Sequence, residues 1–349
     1  MKNYAIGWDI GGAHVKVAVV YQHKIIAIHQ APCPLWQGLN RLEFAVQTLL
    51  AKLPSQTNQC HALTMTGELV DLFANRHEGV QQIIETMTTL LTNHEVQIFC
   101  GKLGLLPVSA IDETHYEIIA SANWLASASL AAKQFKDCLF VDIGSTTTDI
   151  LLCENNEVMA LHCSDYGRLI SGELIYTGIV RTPVMAVTQT VSDNGQHVGI
   201  MAEHFATTAD VYRLTGELSE NHDQIPTADG AEKTIEASAR RLSRMVGDDF
   251  NVTELARWQA VARDIRQQHT KRIQQSCTLQ LTRHSSTEKI PLIGAGIGRF
   301  LVQEIAKNLN YPYVDFSTLF TSSHDELAFN AADCAPAVAV AYLLTNVDN

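Results

Sequence analysis

Two strings in this chain carry the residues of a phosphate-gripping turn: Asp9-Ile10-Gly11-Gly12-Ala13-His14-Val15-Lys16 and Asp142-Ile143-Gly144-Ser145-Thr146-Thr147-Thr148-Asp149. Each follows a short apolar run and leads into another. Gly11-Gly12 in the first copy and Gly144-Ser145 in the second let the backbone turn tightly and aim N–H groups at phosphate oxygens. An Asp repels phosphate but can hold magnesium (Mg2+), directly or through water, and the cation then bridges to phosphate. Asp9 and Asp142 are therefore the candidate catalytic metal carboxylates. Asp149 is a third metal candidate, or a strand-starting cap. Thr146 and Thr147 add hydroxyls for phosphate or metal-bound water. Lys16 is either a point charge for phosphate or a solvated surface lysine. The repetition suggests a duplicated domain with a phosphorylated ligand gripped between the halves.

Other residues could complete such a site. Thr66-Gly67-Glu68-Leu69-Val70-Asp71 follows an apolar run and puts two acids at a strand's carboxyl end, where open α/β sheets gather ligands. Glu68 or Asp71 is then a general base toward a substrate hydroxyl, or a cap of the next helix. Asn123 could reach a ligand from its helix, whereas the adjoining Trp124 reads as core. Arg181 and Arg168 are the arginines left to meet a second anionic group. Gly294, Gly296 and Gly298 form a turn suited to a nucleoside or substrate, or a plain strand-to-helix turn; alone the cluster is a weak signal. No HExxH-type spacing marks a transition-metal site.

The elements that must position these residues follow from periodicity. Strands are expected at Tyr4 to Asp9, Val15 to Tyr21 and Lys24 to His29, then a helix from Leu39 to Leu53, whose apolar positions form one face. A strand at His61 to Met65, a helix from Gly79 to Thr92, a strand at Val96 to Phe99 and one long helix from Thr114 to Gln134 complete a first domain over 1–135. The second domain, 136–330, restarts the order with strands at Cys138 to Asp142, Thr148 to Cys153 and Glu157 to Cys163, as an old duplication would. An insertion near 165–230 is denser in polar residues than a linker requires. Helices occupy 231–275, and a strand at Pro291 to Ile293 runs into the glycine turn. The last helix, 331–349, is apolar on nearly all sides, so it should be buried and pack back between the halves or on the first domain.

Composition sets limits. At 349 residues the chain suits about two domains of roughly 150 residues. With 46% hydrophobic and 18% charged residues it is a globular protein without low-complexity tracts. A net charge of -12 and the absence of a Lys/Arg run argue against a nucleic-acid partner. Eight scattered cysteines without a CxxC pair read as buried free thiols. The start at Met1-Lys2-Asn3 leaves no room for a signal peptide, and no apolar run reaches the roughly 20 residues of a membrane helix, so a cytoplasmic location is expected. Oligomeric state is left open.

Two phosphate turns followed by the Gly294 cluster resemble the actin, sugar-kinase and Hsp70 superfamily. That resemblance implies an α/β, two-domain actin-like ATPase fold, a duplicated ribonuclease H-like unit with a cleft between the domains. Ser121-Ala122-Asn123-Trp124, the second turn, Tyr176-Thr177-Gly178-Ile179-Val180-Arg181-Thr182-Pro183 and the stretch from Glu203 to Leu218 further resemble the hydantoinase/oxoprolinase-related proteins of the tetrahydromethanopterin-linked one-carbon pathway. This resemblance implies a transferase of methanofuran-type cofactor assembly. Such an enzyme joins a furan-methyl diphosphate to a glutamyl-tyramine-like phenolic acceptor and releases pyrophosphate, with Mg2+ as cofactor. ATP is not favoured, because Ala13-His14 stands where nucleotide-using relatives place small hydroxyls. No cysteine or histidine cluster marks the metal site of true hydantoinases. The competing readings are an ATP-dependent small-molecule kinase and a non-catalytic nucleotide-binding regulatory protein.

Overall fold

A computed structural model describes residues 4–54, 59–322 and 327–345. Met1 to Asn3 and positions 346–349, on which two sequence expectations partly rest, lie outside the described residues. The chain opens with β1 (Tyr4–Ile10), β2 (His14–Tyr21) and β3 (Lys24–Pro32), then α1 (Leu39–Leu50), β4 (Gln59–Met65), α2 (Arg76–Leu90), β5 (Glu95–Phe99) and β6 (Leu105–Pro107). Next come α3 (Tyr116–Ile119) and α4 (Asn123–Gln134), followed by β7 (Cys138–Ile143), β8 (Thr148–Glu154), β9 (Glu157–Val158) and α5 (Asp165–Ser171). The middle holds β10 (Leu174–Ile175), α6 (Val184–Val187), β11 (Thr190–Asp193), β12 (Gln196–Gly199), α7 (Thr208–Thr215), α8 (Ile235–Arg244) and α9 (Leu255–Leu281). The chain closes with β13 (Leu292–Ala295), α10 (Arg299–Leu309), β14 (Tyr313–Asp315), β15 (Thr321–Ser322) and α11 (Ala335–Thr345).

These elements form two compact units. One comprises Met1–Cys138, Cys153–Arg168 and Val314–Asn349; the other comprises Leu139–Leu152 and Leu169–Tyr313. Residues 153–168 and the chain from Val314 onward thus belong with the first of these units.

The first unit is built on a seven-stranded sheet ordered β15-β3-β2-β1-β4-β5-β6, in which β1, β4 and β5 run parallel. Alternation along β1 decides its two faces. Ile6, Trp8 and Ile10 join Leu42, Val46, Leu49, Val80, Ile83 and Met87 in one core under α1 and α2. Ala5, Gly7 and Asp9 take the opposite face, where α11 lies. A Cβ on Gly7 would fall 2.0 Å from the Ala337 carbonyl oxygen, so the helix backbone meets the strand with no side chain between them. The apolar circumference of α11 is thus explained by burial within this unit.

In the second unit the path β10-β8-β7-β13-β14 has β7 and β13 parallel. Its core gathers Leu139, Val141, Ile143, Leu292, Leu301 and Ile305 with Ile273 and Cys277 of α9. The polar density of the insertion is structural. Asp210 accepts from Ser238 Oγ and Arg241 Nε at 2.8 Å each, and Arg213 pairs with Asp223 and Glu220, all beside a second core around Trp258.

Two expectations are corrected. The strand from Glu157 to Cys163 ends at Val158, and the chain turns instead into α5, whose Gly167 would bring a Cβ within 2.5 Å of the His162 ring. The long helix from Thr114 to Gln134 is broken. A 3-10 turn and α3 stop at Ala120, Ser121 takes a left-handed φ of 51°, and α4 starts afresh at Asn123.

Candidate functional site

Both phosphate-type turns close in the same way. The Gly11 amide donates to the His14 carbonyl at 3.0 Å, and the Gly144 amide donates to the Thr147 carbonyl at 2.9 Å. The first glycine of each turn therefore holds the turn itself, and the amides after it remain the candidates for a ligand. In the first turn Gly12 packs close under Val70, whose Cγ1 a Cβ would meet at 2.6 Å.

Within the first unit the structure gathers several predicted residues at the carboxyl ends of β1 and β4. Asp9 is buried and lies directly across the β1–β2 ladder from half-buried Lys16. Asn123, first residue of α4, donates from Nδ2 to Asp9 Oδ1 at 3.4 Å. Two residues earlier, Ser121 Oγ donates to Glu68 Oε1 at 2.7 Å. The helix break thus ties both strand-end acids with one short segment. Glu68 is 1% exposed, and its Oε2 is buried without a hydrogen-bond partner among the described residues. Burial pushes the Glu68 carboxyl above its ordinary range; the Ser121 hydroxyl and Arg76 oppose that, while Asp165 adds to it. Asp71, the other acid weighed as a base, is exposed in the following turn and has no place in this cluster.

Three residues of the cluster were not singled out as site candidates from sequence. Ser121 was seen only as part of a motif, since nothing in a helical pattern announces a left-handed serine. Arg76 Nη2 meets Asp165 Oδ2 at 2.6 Å, and Ser121 Oγ lies 3.3 Å from the same oxygen. Arg168, expected to meet an anion, is buried with its guanidinium 4.0 Å above the ring of buried Trp124.

The second unit holds the other group. Asp142, Gly144, Ser145, Thr146, Thr147 and Asp149 are half-buried around the second turn. The turn closure and the side-chain contact of Cys138 with Cys153 set a hairpin register that places Asp149 across from Asp142. The segment after β10 braces this turn: Ile179 N–H donates to Gly144 O, and the amides of Val180 and Arg181 donate to Ser145 O at 3.1 and 2.9 Å. Arg181 Nη1 also reaches Thr146 Oγ1 at 3.4 Å. Gly178 makes this approach feasible, because a Cβ there would lie 2.5 Å from the Thr146 amide nitrogen.

The three late glycines serve close packing of the β13–α10 turn. A Cβ on Gly294 would strike the Tyr313 ring at 2.7 Å. Gly296, at φ 77°, would strike the Ile143 carbonyl at 2.2 Å and Asp142 Oδ1 at 2.4 Å, and Gly298 would strike Ile143 Cγ2 at 2.5 Å. Gly296 thereby sets the backbone against the Asp142 carboxylate.

For a metal, the donor set is hard oxygen. Among the described residues no three His, Cys, Asp or Glu side chains gather as a ligand cluster; the second turn offers two half-buried acids, Asp142 and Asp149. Two carboxylates completed by ligand phosphates and water suit Mg2+ better than a transition metal. No helix among the described residues is long and apolar enough to cross a membrane.

Residues 59–337 match the family model described as Hydantoinase/oxoprolinase. The chain is 33% identical over 250 residues, 71% of its length and 73% of the relative's, to (4-{4-[2-(gamma-L-glutamylamino)ethyl]phenoxymethyl}furan-2-yl)methanamine synthase of Methanocaldococcus jannaschii. A synthase of the same name from Methanococcus vannielii is 31% identical over 116 residues, covering 33% of this chain and 52% of that protein. Among solved structures, nucleotide-free acetone carboxylase aligns with a TM-score of 0.59 at 10% identity, covering 98% of this chain and 70% of that one. That likeness concerns fold alone, and the fold is the doubled α/β, actin-like arrangement that the two turns imply.

Proposed function

The chain belongs to the hydantoinase/oxoprolinase family, and from that premise we propose that it is a biosynthetic transferase forming an aryl ether from a furan-methyl diphosphate and a glutamyl-tyramine-like phenol, with release of pyrophosphate. The product named for the two curated relatives contains a phenoxymethyl link. Making that link requires a leaving group on the furan methylene and a phenol stripped of its proton.

The observation that carries the reading is Glu68: a buried carboxyl with one oxygen held by Ser121 and the other without a partner. In the proposed reaction Oε2 takes the phenol proton. The oxygen's electron pair forms the bond to the methylene carbon, and the carbon–oxygen bond to the diphosphate breaks with its pair going to pyrophosphate. Asn123 donates to Asp9, and Lys16 stands across the ladder from it. In the second unit the amide of Ser145, the hydroxyls of Thr146 and Thr147 and the Arg181 guanidinium would supply donors for phosphate oxygens. Asp142 and Asp149 of the second turn would hold Mg2+, whose chemistry when bound is charge neutralisation at the diphosphate.

Purified protein with Mg2+, an aminomethyl-furan-methyl diphosphate and γ-glutamyltyramine tests the reading. Pyrophosphate release without ATP is expected. Formation of ADP from ATP would replace it with phosphoryl transfer, and stabilisation by nucleotide without any product would replace it with a binding role.

A further inference from the structure

The break between α3 and α4 uses a conformation that residues with a Cβ rarely adopt, with Ser121 at φ 51°. What that conformation secures is the position of one hydroxyl. Ser121 Oγ lies 2.7 Å from Glu68 Oε1 and 3.3 Å from Asp165 Oδ2, and it has a single proton to donate to the two. Glu68 Oε2 meets no partner among the described residues. On the other side, a Cβ on Gly79 would stand 2.5 Å from the Glu68 carbonyl oxygen and 2.9 Å from its Cβ, so α2 lies flush against the acid. The charged groups that bear on Glu68 are Arg76 of α2 and Asp165 of α5, joined to each other at 2.6 Å.

From this geometry we infer that Ser121 is a positioning residue that selects which Glu68 oxygen reacts: it occupies Oε1 and leaves Oε2, buried and without a hydrogen-bond partner among the described residues, as the one basic oxygen for the acceptor hydroxyl. The inference rests on the reading of Glu68 as the base. Asp165 tunes the selection by competing for the same serine proton. When Glu68 is ionised, Ser121 donates to Oε1. Once Oε2 has taken the acceptor's proton, Oε1 is a weaker acceptor and the hydroxyl turns toward Asp165, whose Oδ2 also meets Arg76. The acceptor O–H bond breaks, an O–H bond forms at Oε2, and the electron pair stays on the acceptor oxygen.

The test compares pH–rate profiles of Ser121→Ala, Ser121→Gly, Asp165→Asn and Glu68→Gln in the full chain. It is paired with the titration of the ¹³C-labelled Glu68 carboxyl, identified as the resonance missing from Glu68→Gln. Both serine variants are expected to lose about tenfold in kcat with little change in KM, and to move the acid limb and the carboxyl titration up by about one pH unit. Asp165→Asn is expected to move both down. Glycine relieves the backbone conformation, so a rate loss in Ser121→Gly without loss of thermal stability is not a folding defect. An unmoved limb in both serine variants, or serine and Asp165 variants shifting the same way, would overturn the role of Ser121. A Glu68→Gln protein with the parent rate would instead overturn the base reading beneath it, and the carboxyl titration, which needs no turnover, would still decide whether Ser121 governs Glu68.

Discussion

Asp9 stands directly opposite Lys16 in the β1–β2 ladder, so the two side chains share one face of the sheet. The matching position of the second hairpin carries Asp149 across from Asp142, an acid where the first has a cation. The two turns share a closure but differ in charge. Metal dependence should therefore follow the second turn. Asp149→Asn is expected to raise the Mg2+ concentration for half-maximal rate at least tenfold. Lys16→Gln should raise KM for the diphosphate several-fold and leave the Mg2+ titration unchanged. Initial rates across a Mg2+ series check both.

Glu68→Gln separates catalysis from stability. A buried carboxylate is costly to ionise, and glutamine keeps the shape and can still accept from Ser121. The substitution is expected to leave the urea midpoint unchanged or raise it, while lowering kcat by roughly 10²-fold or more. A parallel loss of stability and rate would argue for a structural role instead.

Gly7 and Gly296 are expected to tolerate no side chain. Gly7→Ala drives a methyl into the Ala337 carbonyl at 2.0 Å, and Gly296→Ala adds a positive φ to a contact of 2.2 Å. In each case the obstacle is backbone, which cannot swing away. Losses of about 3 kcal/mol or more are expected in denaturant titrations. Gly195→Ala, which meets nothing within 4 Å but also has positive φ, isolates the strain component.

Acid should destabilise the fold through two buried histidines. Burial, with His94 adding to it, lowers His61 to about 3; burial, with Arg272 and Arg266 adding to it, lowers His269 to about 3. Unfolding returns each to an ordinary value near 6.5, so the unfolded chain binds more protons in between. The stability they contribute is fully present above pH 6.5 and is lost as pH falls toward 3, by about 1.4 kcal/mol per pH unit for each histidine in mid-window. Urea midpoints from pH 7.5 to 5 measure the slope. His269→Gln, which keeps polar contact with Tyr212 and Thr177, should remove about one proton of it.

Much of this architecture was legible because it is written locally. Alternation and turn residues locate β1, β2, β7 and β8 within a residue or two, and the two turns stand where Asp-Ile-Gly places them. The apolar circumference of α11 announced its burial, though not the missing side chain of Gly7 that lets it seat. What stayed hidden depends on distant partners. Ser121 breaks a run with good helical pattern because Glu68 and Asp165 meet its hydroxyl. Sequence left Glu68 and Asp71 equal, and only burial separates them. The Gly294 cluster was left between a ligand turn and a plain strand-to-helix turn, and the neighbours that its glycines meet, Tyr313, Asp142 and Ile143, come from distant sequence.

The central claim is that the carbon–oxygen bond of a diphosphate ester breaks. Furan-methyl diphosphate labelled with ¹⁸O at the bridging ester oxygen, incubated with the phenolic acceptor and Mg2+, reports the bond directly by mass spectrometry of both products. The account requires all of the label in pyrophosphate and none in the ether. Label retained on the furan carbinol oxygen, with a phosphoryl group transferred elsewhere, would contradict it.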